Sequence, residues 1–255
     1  MTPRSGLVRF ALPLLFLATA VSVNFAAFRR GSPDPLAVWH PADSVTPVPG
    51  PLPPAPSAWD SHYQAFVSPQ SAAELVFLGD SLTHGWSAAP QAWTAVTAGR
   101  TAKRFGVPGD TTNILLWRID QGLLAGPPAE LVVILIGTNN KRQTADPADI
   151  AAGVAAVANA VRTKWPAARV LLLAIPPEGR WADDPRRTLF DDVNARTQAF
   201  AAANGFAFHD IGACLLTRDG EMTPALSDDE THFTKAGYAR IASELRPVID
   251  RAFGR

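Results

Sequence analysis

Residues 131–140 read LVVILIGTNN, which is six apolar residues, then a glycine, then three polar residues. An apolar run of this length that ends at a turn residue is typical of a strand buried on both faces of a sheet. Sheets covered on both faces are mostly parallel, because the helices that connect parallel strands lie on those faces. The stretch therefore predicts a central strand of an α/β domain.

The same pattern recurs before and after this strand. Further short, largely apolar runs that end at glycine, proline or a polar pair are found at residues 75–78, 169–175 and 206–208, and a weaker strand that ends at glycine is predicted at residues 102–105. Segments expected to be helical lie at residues 112–121, 147–164, 187–203 and 235–253. Strands that alternate with helices predict a three-layer α/β/α sandwich around a five-stranded parallel sheet.

The N-terminal segment predicts export. Residues 10–28 are uncharged over 19 positions and have two arginines on each side. A basic start, a short apolar core and small residues such as Ala18-Thr19-Ala20 are typical of a cleaved signal peptide. A stretch of about 20 apolar residues is also long enough to span a membrane. Residues 1–30 are therefore interpreted as a signal peptide or a membrane anchor, and both alternatives stay open.

A proline-rich segment follows. Residues 31–58 hold nine of the 23 prolines of the chain. Such segments do not form helices or central strands, and they act as extended, semi-rigid spacers. We therefore expect a linker over residues 31–58 and a folded domain over residues 59–255. In this arrangement the domain is exported, either periplasmic or extracellular or tethered to the membrane, and only the N-terminal segment contacts the membrane.

Composition excludes several classes of function. The chain has 23 basic and 23 acidic side chains, and without residues 1–30 it has 19 basic and 23 acidic ones. A mildly acidic domain is not expected to bind nucleic acid, because such binding requires a broad basic surface. The single cysteine, Cys214, excludes an internal disulfide framework and a zinc site with two or more thiolate ligands.

Four short polar segments follow the predicted strands or lie near the C-terminus. They are residues 79–82 (GDSL), 106–112 (GVPGDTT), 137–140 (GTNN) and 229–232 (DETH). The carboxyl ends of parallel strands meet at one edge of a sheet, and the sites of open α/β sheets collect there. We therefore expect the four segments to lie close together.

Each segment offers a group that acyl transfer requires. Ser81 provides a hydroxyl nucleophile. The three-residue spacing lets the Asp229 carboxylate reach Nδ1 of His232, which leaves Nε2 free as a base. Gly109 allows a backbone N–H to approach a reacting carbonyl, and the Asn139 amide is able to donate to an oxyanion. Each segment alone is ordinary turn chemistry, but the ordered set of four is specific.

This ordered set resembles the SGNH hydrolase superfamily, also called the GDSL esterases and lipases, over about residues 59–253. Within it, the chain looks most like the catalytic α subunits of platelet-activating-factor acetylhydrolase and their bacterial relatives. The motifs that carry this likeness are Trp59-x-x-His62-x-x-x-Phe66, Gly109-Asp110-Thr111-Thr112, Leu116-Trp117-Arg118, Gly137-Thr138-Asn139-Asn140 and Thr144-Ala145. The departures from it lie at the rim of the site and are Pro108, Lys141-Arg142 and Glu230.

The resemblance implies a flavodoxin-like fold and the hydrolysis of carboxylic esters without a metal or an organic cofactor. It implies a triad of Ser81, His232 and Asp229. Asp228 is the alternative acid, and its four-residue spacing to the histidine departs from the family pattern. The implied oxyanion hole consists of the N–H groups of Ser81 and Gly109 and the side chain of Asn139.

Four other residues are candidate substrate contacts, and each has an alternative interpretation. His84 lies one turn after Ser81, where it would line a pocket, but a histidine on a helix also packs structurally. Trp86 and Trp181 are candidates too, with core packing as the alternative. Arg180 is a candidate whose alternative is a surface salt bridge.

The expected function is that of an exported serine esterase acting on short-chain carboxylic esters, with O-acetyl groups on carbohydrates as the first candidate. The expected partner is a small ester or an acylated glycan. The alternative activities are a lysophospholipase or thioesterase near the membrane, and an acyltransferase. A non-catalytic glycan-binding module on the same scaffold is the alternative from another class, although a binding module has no need of the complete set of catalytic residues.

Overall fold

The structure of the protein, a computed structural model, describes residues 43–48 and 72–254. Its strands are β1 (Leu75–Gly79), β2 (Ala102–Gly106), β3 (Leu131–Leu135), β4 (Arg169–Leu173) and β5 (Ala207–His209). Its α-helices are α1 (Ser81–His84), α2 (Pro90–Thr97), α3 (Thr112–Arg118), α4 (Pro147–Lys164), α5 (Pro185–Asn204) and α6 (Lys235–Ala252).

The five strands form one parallel sheet in the order β2-β1-β3-β4-β5. Neighbouring side chains along a strand point to opposite faces. Leu131 and Val133 of β3 accordingly belong to the core under α2 and α6, whereas Val132 and Ile134 belong to the core under α3 and α4. The predicted three-layer α/β/α fold with a five-stranded parallel sheet is confirmed.

The strand order explains where a site is expected. β1 pairs with β2 on one side and with β3 on the other, so the chain winds in opposite directions from β1. Ligands of open α/β sheets bind beyond the carboxyl ends of the strands at such a switch point. The residues that follow β1, β2 and β3 meet there, and they belong to the segments GDSL, GVPGDTT and GTNN.

Local signals explain the helix boundaries. α4 begins after Asp146, whose carboxylate accepts a hydrogen bond from the N–H of Ala148, and Pro147 takes the first helical position. The helix predicted over residues 112–121 ends at Arg118 as an α-helix, and a π-turn over Ile119–Leu123 continues it. The sequence pattern did not predict α2. Its eight residues make only about two helical turns, which are too few for an apolar periodicity to be recognised.

A short part of the predicted linker contacts the domain. Ser44 is completely buried, and its carbonyl accepts a hydrogen bond of 2.6 Å from Oγ1 of Thr112 in α3. The predicted N-terminal segment, residues 1–30, and the motif at residues 59–66 lie outside the described residues. The division into three regions therefore stays a prediction. Within residues 43–48 and 72–254, no helix is long and apolar enough to cross a membrane.

Candidate active site

Ser81 lies directly after β1, at the first residue of α1. Oδ1 of Asp80 accepts a hydrogen bond of 2.9 Å from the N–H of Leu82 and so caps the helix. Oη of Tyr238 in α6 donates a hydrogen bond of 2.8 Å to the carbonyl of Leu82. A Cβ on Gly106 would overlap the carbonyl of Asp80, so glycine at the end of β2 leaves room for the turn that carries Ser81. Contacts with two neighbouring elements therefore hold this turn in place.

His232 joins Ser81 to Asp229 through a chain of hydrogen bonds. Nε2 of His232 lies 2.8 Å from Oγ of Ser81, and Nδ1 lies 2.6 Å from Oδ2 of Asp229. The other carboxylate oxygen, Oδ1, accepts hydrogen bonds from the N–H groups of Thr231 and His232 over 3.0 and 2.6 Å. The carboxylate that meets the imidazole is thus that of Asp229 and not that of Asp228.

The hydrogen bonds determine the charge of Asp229. Partial burial raises the pKa of this carboxyl group, but the hydrogen bonds from the His232 side chain and from the N–H groups of His232 and Thr231 lower it. The net result is a pKa below the ordinary value, so Asp229 is a carboxylate at neutral pH. A carboxylate in contact with Nδ1 favours the tautomer whose Nε2 accepts a proton.

The segments of the predicted oxyanion residues Gly109 and Asn139 are joined by a hydrogen bond. The Asn139 side chain donates a hydrogen bond of 3.0 Å through Nδ2 to the carbonyl of Asp110, the residue after Gly109. Gly109 has a φ of 86°, and a Cβ at this position would meet no atom within 4 Å. The left-handed backbone favours glycine, and the open space beside it is free for a substrate carbonyl.

The candidate site is shallow. The side chains of His232 and Asp229 keep 49% and 52% of their accessible surface. Beneath α1, a cavity lined by Leu82, Trp86 and Tyr238 has a volume of about 10 Å³, which is the space of about one water molecule. The core beneath α1 is therefore filled by side chains of the protein.

The four candidate substrate contacts have different surroundings. Trp86 is buried and packs against Phe77 and Tyr238, so the structure favours core packing over the expected substrate contact. His84 is half-buried at the end of α1. The guanidinium of Arg180 lies 4.5 Å from the ring centroid of Trp181, and half of the Trp181 surface is exposed. Among the described residues, Arg180 contacts the Trp181 ring and forms no salt bridge, which was the alternative to a substrate contact.

The loop that holds Arg180 and Trp181 is joined to the histidine loop. The N–H of Gly179 donates a hydrogen bond of 3.1 Å to the carbonyl of Glu230. Glu230 has a φ of 67°, which is unusual for a residue other than glycine, and its side chain accepts a hydrogen bond from Arg186. One contact to this loop and one to the start of α5 thus hold the strained residue between Asp229 and His232.

The sequence analysis missed Glu178. Its buried carboxylate accepts a hydrogen bond of 3.1 Å from Oγ1 of Thr231 and forms an ion pair with Nζ of Lys141. It therefore connects the segment that follows Asn139 to the segment that precedes His232. Lys141 was the available signal, since a cation beside the asparagine pair is able to form an ion pair, but no spacing rule identifies which acid it contacts.

Comparison with known proteins agrees with this arrangement. The profile of the GDSL-like Lipase/Acylhydrolase family matches residues 77–240. The chain belongs to this family. The predicted SGNH/GDSL resemblance is confirmed, and as a member of the GDSL family the protein is a carboxylic ester hydrolase. The matched residues include all four polar segments.

Relatives and solved structures extend the comparison of this GDSL protein. It is 31% identical to platelet-activating factor acetylhydrolase IB subunit alpha1 of Pongo abelii over 196 residues, which are 76% of this chain and 83% of the relative. A GDSL-like lipase of Bacteroides thetaiotaomicron is 22% identical with a TM-score of 0.59, over 76% of this chain and 96% of that one. The carbohydrate acetylesterase Est24 of Sinorhizobium meliloti is 19% identical with a TM-score of 0.57, over 71% and 99%. The two structures share the fold.

Proposed function

We propose that the protein is an exported serine esterase that removes short acyl groups, and acetyl groups of carbohydrates in particular. The observation that carries the chemistry is the hydrogen-bonded chain from Ser81 through His232 to Asp229. Such a chain activates a hydroxyl group as a nucleophile.

In the proposed mechanism, Oγ of Ser81 attacks the carbonyl carbon of the ester while Nε2 of His232 takes its proton. Asp229 orients the ring and stabilises the imidazolium. The oxyanion accepts hydrogen bonds from the N–H groups of Ser81 and Gly109 and from the amide of Asn139. His232 then returns the proton to the alcohol that leaves. A water molecule, deprotonated by the same Nε2, attacks the acyl-serine, releases the carboxylic acid and restores the Ser81 hydroxyl.

The shallow site supports a short acyl group. An acyl chain of eight carbons needs an apolar groove to bury it, whereas the His232 and Asp229 side chains keep 49% and 52% of their accessible surface. An acetyl group needs no such groove. The half-exposed triad also leaves room for a bulky alcohol such as a sugar.

A sugar substrate has two further supports. The ring of Trp181 is half exposed on a loop that is hydrogen-bonded to the histidine loop, and an exposed aromatic ring offers an apolar face against which a sugar ring can pack. The Est24 structure, which shares the fold, is a carbohydrate acetylesterase by name. The proposed export rests on residues 10–28 and on the proline-rich segment that follows them.

Hydrolysis of p-nitrophenyl acetate, butyrate, octanoate and laurate by the full-length protein tests the acyl preference. We expect kcat/KM to be highest for the acetate ester and at least about tenfold lower for the octanoate ester. A longer acyl chain gains no buried surface in the transition state. Release of acetate from acetylated xylan tests the sugar. A preference for octanoate or laurate, together with release of fatty acid from lysophosphatidylcholine, would replace this proposal with a lysophospholipase.

The N-terminus of the protein recovered from the producing cells tests the export route. A first residue at Val21 would show cleavage after Ala20 and would exclude an anchor. An intact N-terminus in the membrane fraction would show the anchored form, and an intact N-terminus in the cytosol would contradict export.

A further inference from the structure

Residues 43–48, the clasp segment, lie inside the predicted linker and yet bind the domain beside the candidate site. The turn is held internally by Asp43, whose Oδ1 accepts hydrogen bonds from the N–H groups of Val45 and Thr46 over 3.0 and 2.6 Å. Nδ2 of Asn113 donates to the carbonyls of Asp43 and Thr46, each over 2.8 Å. The clasp segment is thus fixed to the start of α3 by its backbone.

Ser44 is the residue of the clasp segment that enters the domain. Its side chain and backbone are completely buried. Its N–H and its Oγ–H donate hydrogen bonds of 2.9 and 2.8 Å to the two carboxylate oxygens of Asp149 in α4. Its Oγ also accepts a hydrogen bond of 3.0 Å from Nδ2 of Asn140. One serine therefore joins the start of α4 to the segment that follows β3.

The hydrogen bonds continue to the loop after β2. Oδ1 of Asn140 accepts a hydrogen bond of 3.1 Å from the N–H of Thr112, and Nδ2 lies 2.8 Å from Oγ1 of the same threonine. Oγ1 of Thr112 donates in turn to the carbonyl of Ser44 over 2.6 Å. The three residues form a buried network in which each contacts the other two, and Nδ2 of Asn140 also lies 3.2 Å from Oε1 of Gln143.

Both predicted oxyanion residues are attached to this network. Asn139 directly precedes Asn140, and Gly109 lies three residues before Thr112 in the same loop. The Asn139 side chain crosses between the two segments through its hydrogen bond to the carbonyl of Asp110. A displacement of Asn140 relative to Thr112 therefore changes the distance between the two oxyanion donors. Misplacement by a fraction of an ångström is sufficient to weaken transition-state stabilisation.

We propose that Ser44 is a positioning residue for the oxyanion hole, so that part of the apparent linker is a component of the active site. The inference rests on the proposed function, in which Gly109 and Asn139 bind the oxyanion. Without its hydroxyl, the Asn140 amide and the Asp149 carboxylate each lose a buried partner, and buried polar groups move to regain one. Ser44 acts through Asn140 and Thr112 and does not contact the substrate.

The test compares Ser44→Ala with Thr46→Ala in the full-length protein. The Thr46 hydroxyl bonds only to the exposed carboxylate of Asp43 among the described contacts, so its loss leaves the network intact. We expect Ser44→Ala to lower kcat for p-nitrophenyl acetate about tenfold, less than the 10²–10³-fold typical of a lost oxyanion donor. KM is expected to change less than about twofold, and Thr46→Ala to match the wild type. Asp149→Asn, which disturbs the same hydroxyl, is expected to lower kcat in the same way.

A double-mutant cycle separates positioning from general destabilisation. If Ser44 acts through Asn140, Ser44→Ala has no further effect on kcat when Asn140 is already alanine. A lower melting temperature with kcat within about twofold of the wild type would overturn the proposal, as would independent, multiplicative effects of the two substitutions. Ser81→Ala, measured alongside, separates a failure of the proposed function from a failure of the positioning role. An active Ser81→Ala protein contradicts the proposed function. An inactive Ser81→Ala protein together with a Ser44→Ala protein of normal kcat contradicts only the positioning role.

Discussion

Nε2 of His232 lies 2.8 Å from Oγ of Ser81, although the two residues are 151 positions apart in the sequence. β1 carries the serine to the edge of the sheet, and the loop before α6 returns the histidine to the same edge. Asp229 adds a second hydrogen bond of 2.6 Å on the far side of the imidazole.

Asp229→Asn is expected to lower kcat by about 10²–10⁴-fold, since an amide favours the wrong histidine tautomer and does not stabilise the imidazolium. Asp228→Asn is the matched control, because this exposed neighbour has the same side chain and the imidazole contacts Asp229 instead. Initial rates of p-nitrophenyl acetate hydrolysis measure both. Equal losses in the two variants would show that the local charge, and not the contact with Nδ1, is required.

Gly109→Ala is expected to lower kcat by about 10²–10³-fold, the range for a lost oxyanion donor, because it strains the backbone and places a methyl group where the substrate carbonyl approaches. Gly205→Ala at the end of α5 is the matched control, since its φ of 72° is also left-handed and a Cβ there also meets no atom within 4 Å. Both variants should lose similar thermal stability. A comparable loss of kcat in Gly205→Ala would indicate global strain.

Asp80→Asn is expected to raise the melting temperature more at about pH 8 than at about pH 4. Burial raises the pKa of Asp80 to about 7, and among the described residues its Oδ2 has no hydrogen-bond partner. The folded protein therefore holds this proton through a pH range in which the unfolded chain loses it, so stability falls as pH rises from about 4 to about 7. The neutral amide removes this dependence.

Thermal unfolding of Asp80→Asn and of the wild type at both pH values measures the gain in melting temperature. We expect the gain at about pH 8 to exceed the gain at about pH 4 by about 8 to 16 °C, since about three pKa units correspond to roughly 4 kcal/mol and each kcal/mol shifts the melting temperature by about 2–4 °C. Asp228→Asn serves as the exposed control and should show no such difference. A gain for Asp80→Asn that is equal at both pH values would contradict the raised pKa.

Trp181→Ala is expected to raise KM for an acetylated xylo-oligosaccharide several-fold, because the half-exposed ring loses its contact with the sugar. The same variant should leave kcat and KM for p-nitrophenyl acetate unchanged, since this substrate carries no sugar ring to pack against the indole. Trp181→Phe should retain most of the sugar affinity. Unchanged KM for the oligosaccharide in Trp181→Ala would remove this ring from the binding surface.

The sequence predicts much of this architecture because the decisive features are local. The apolar run of β3 and the glycine after it determine a buried strand and its end, and the four polar segments need only strand order to meet. The start of α4 was predicted at Pro147 because Asp146 and Pro147 are a strong helix-entry pair.

Other features depend on partners that are distant in sequence. Glu178 and Lys141 are 37 positions apart, and no periodicity links them. Ser44 lies in a proline-rich stretch whose composition indicates a spacer, while its contacts with Asn140 and Asp149 span 96 and 105 positions. Trp86 was a candidate substrate contact with core packing as the alternative, and the rings of Phe77 and Tyr238, which meet it only in the fold, decide for the core.

Peptide mass spectrometry after reaction with diethyl p-nitrophenyl phosphate examines the nucleophile itself. This reagent phosphorylates an activated serine and releases p-nitrophenol, and the adduct persists because its hydrolysis is slow. We expect the diethylphosphoryl group on Ser81, in proportion to the loss of esterase activity, and no adduct when His232 is replaced by alanine. Full inactivation with an unmodified Ser81, or an adduct at another residue that accounts for the lost activity, would contradict the role of Ser81.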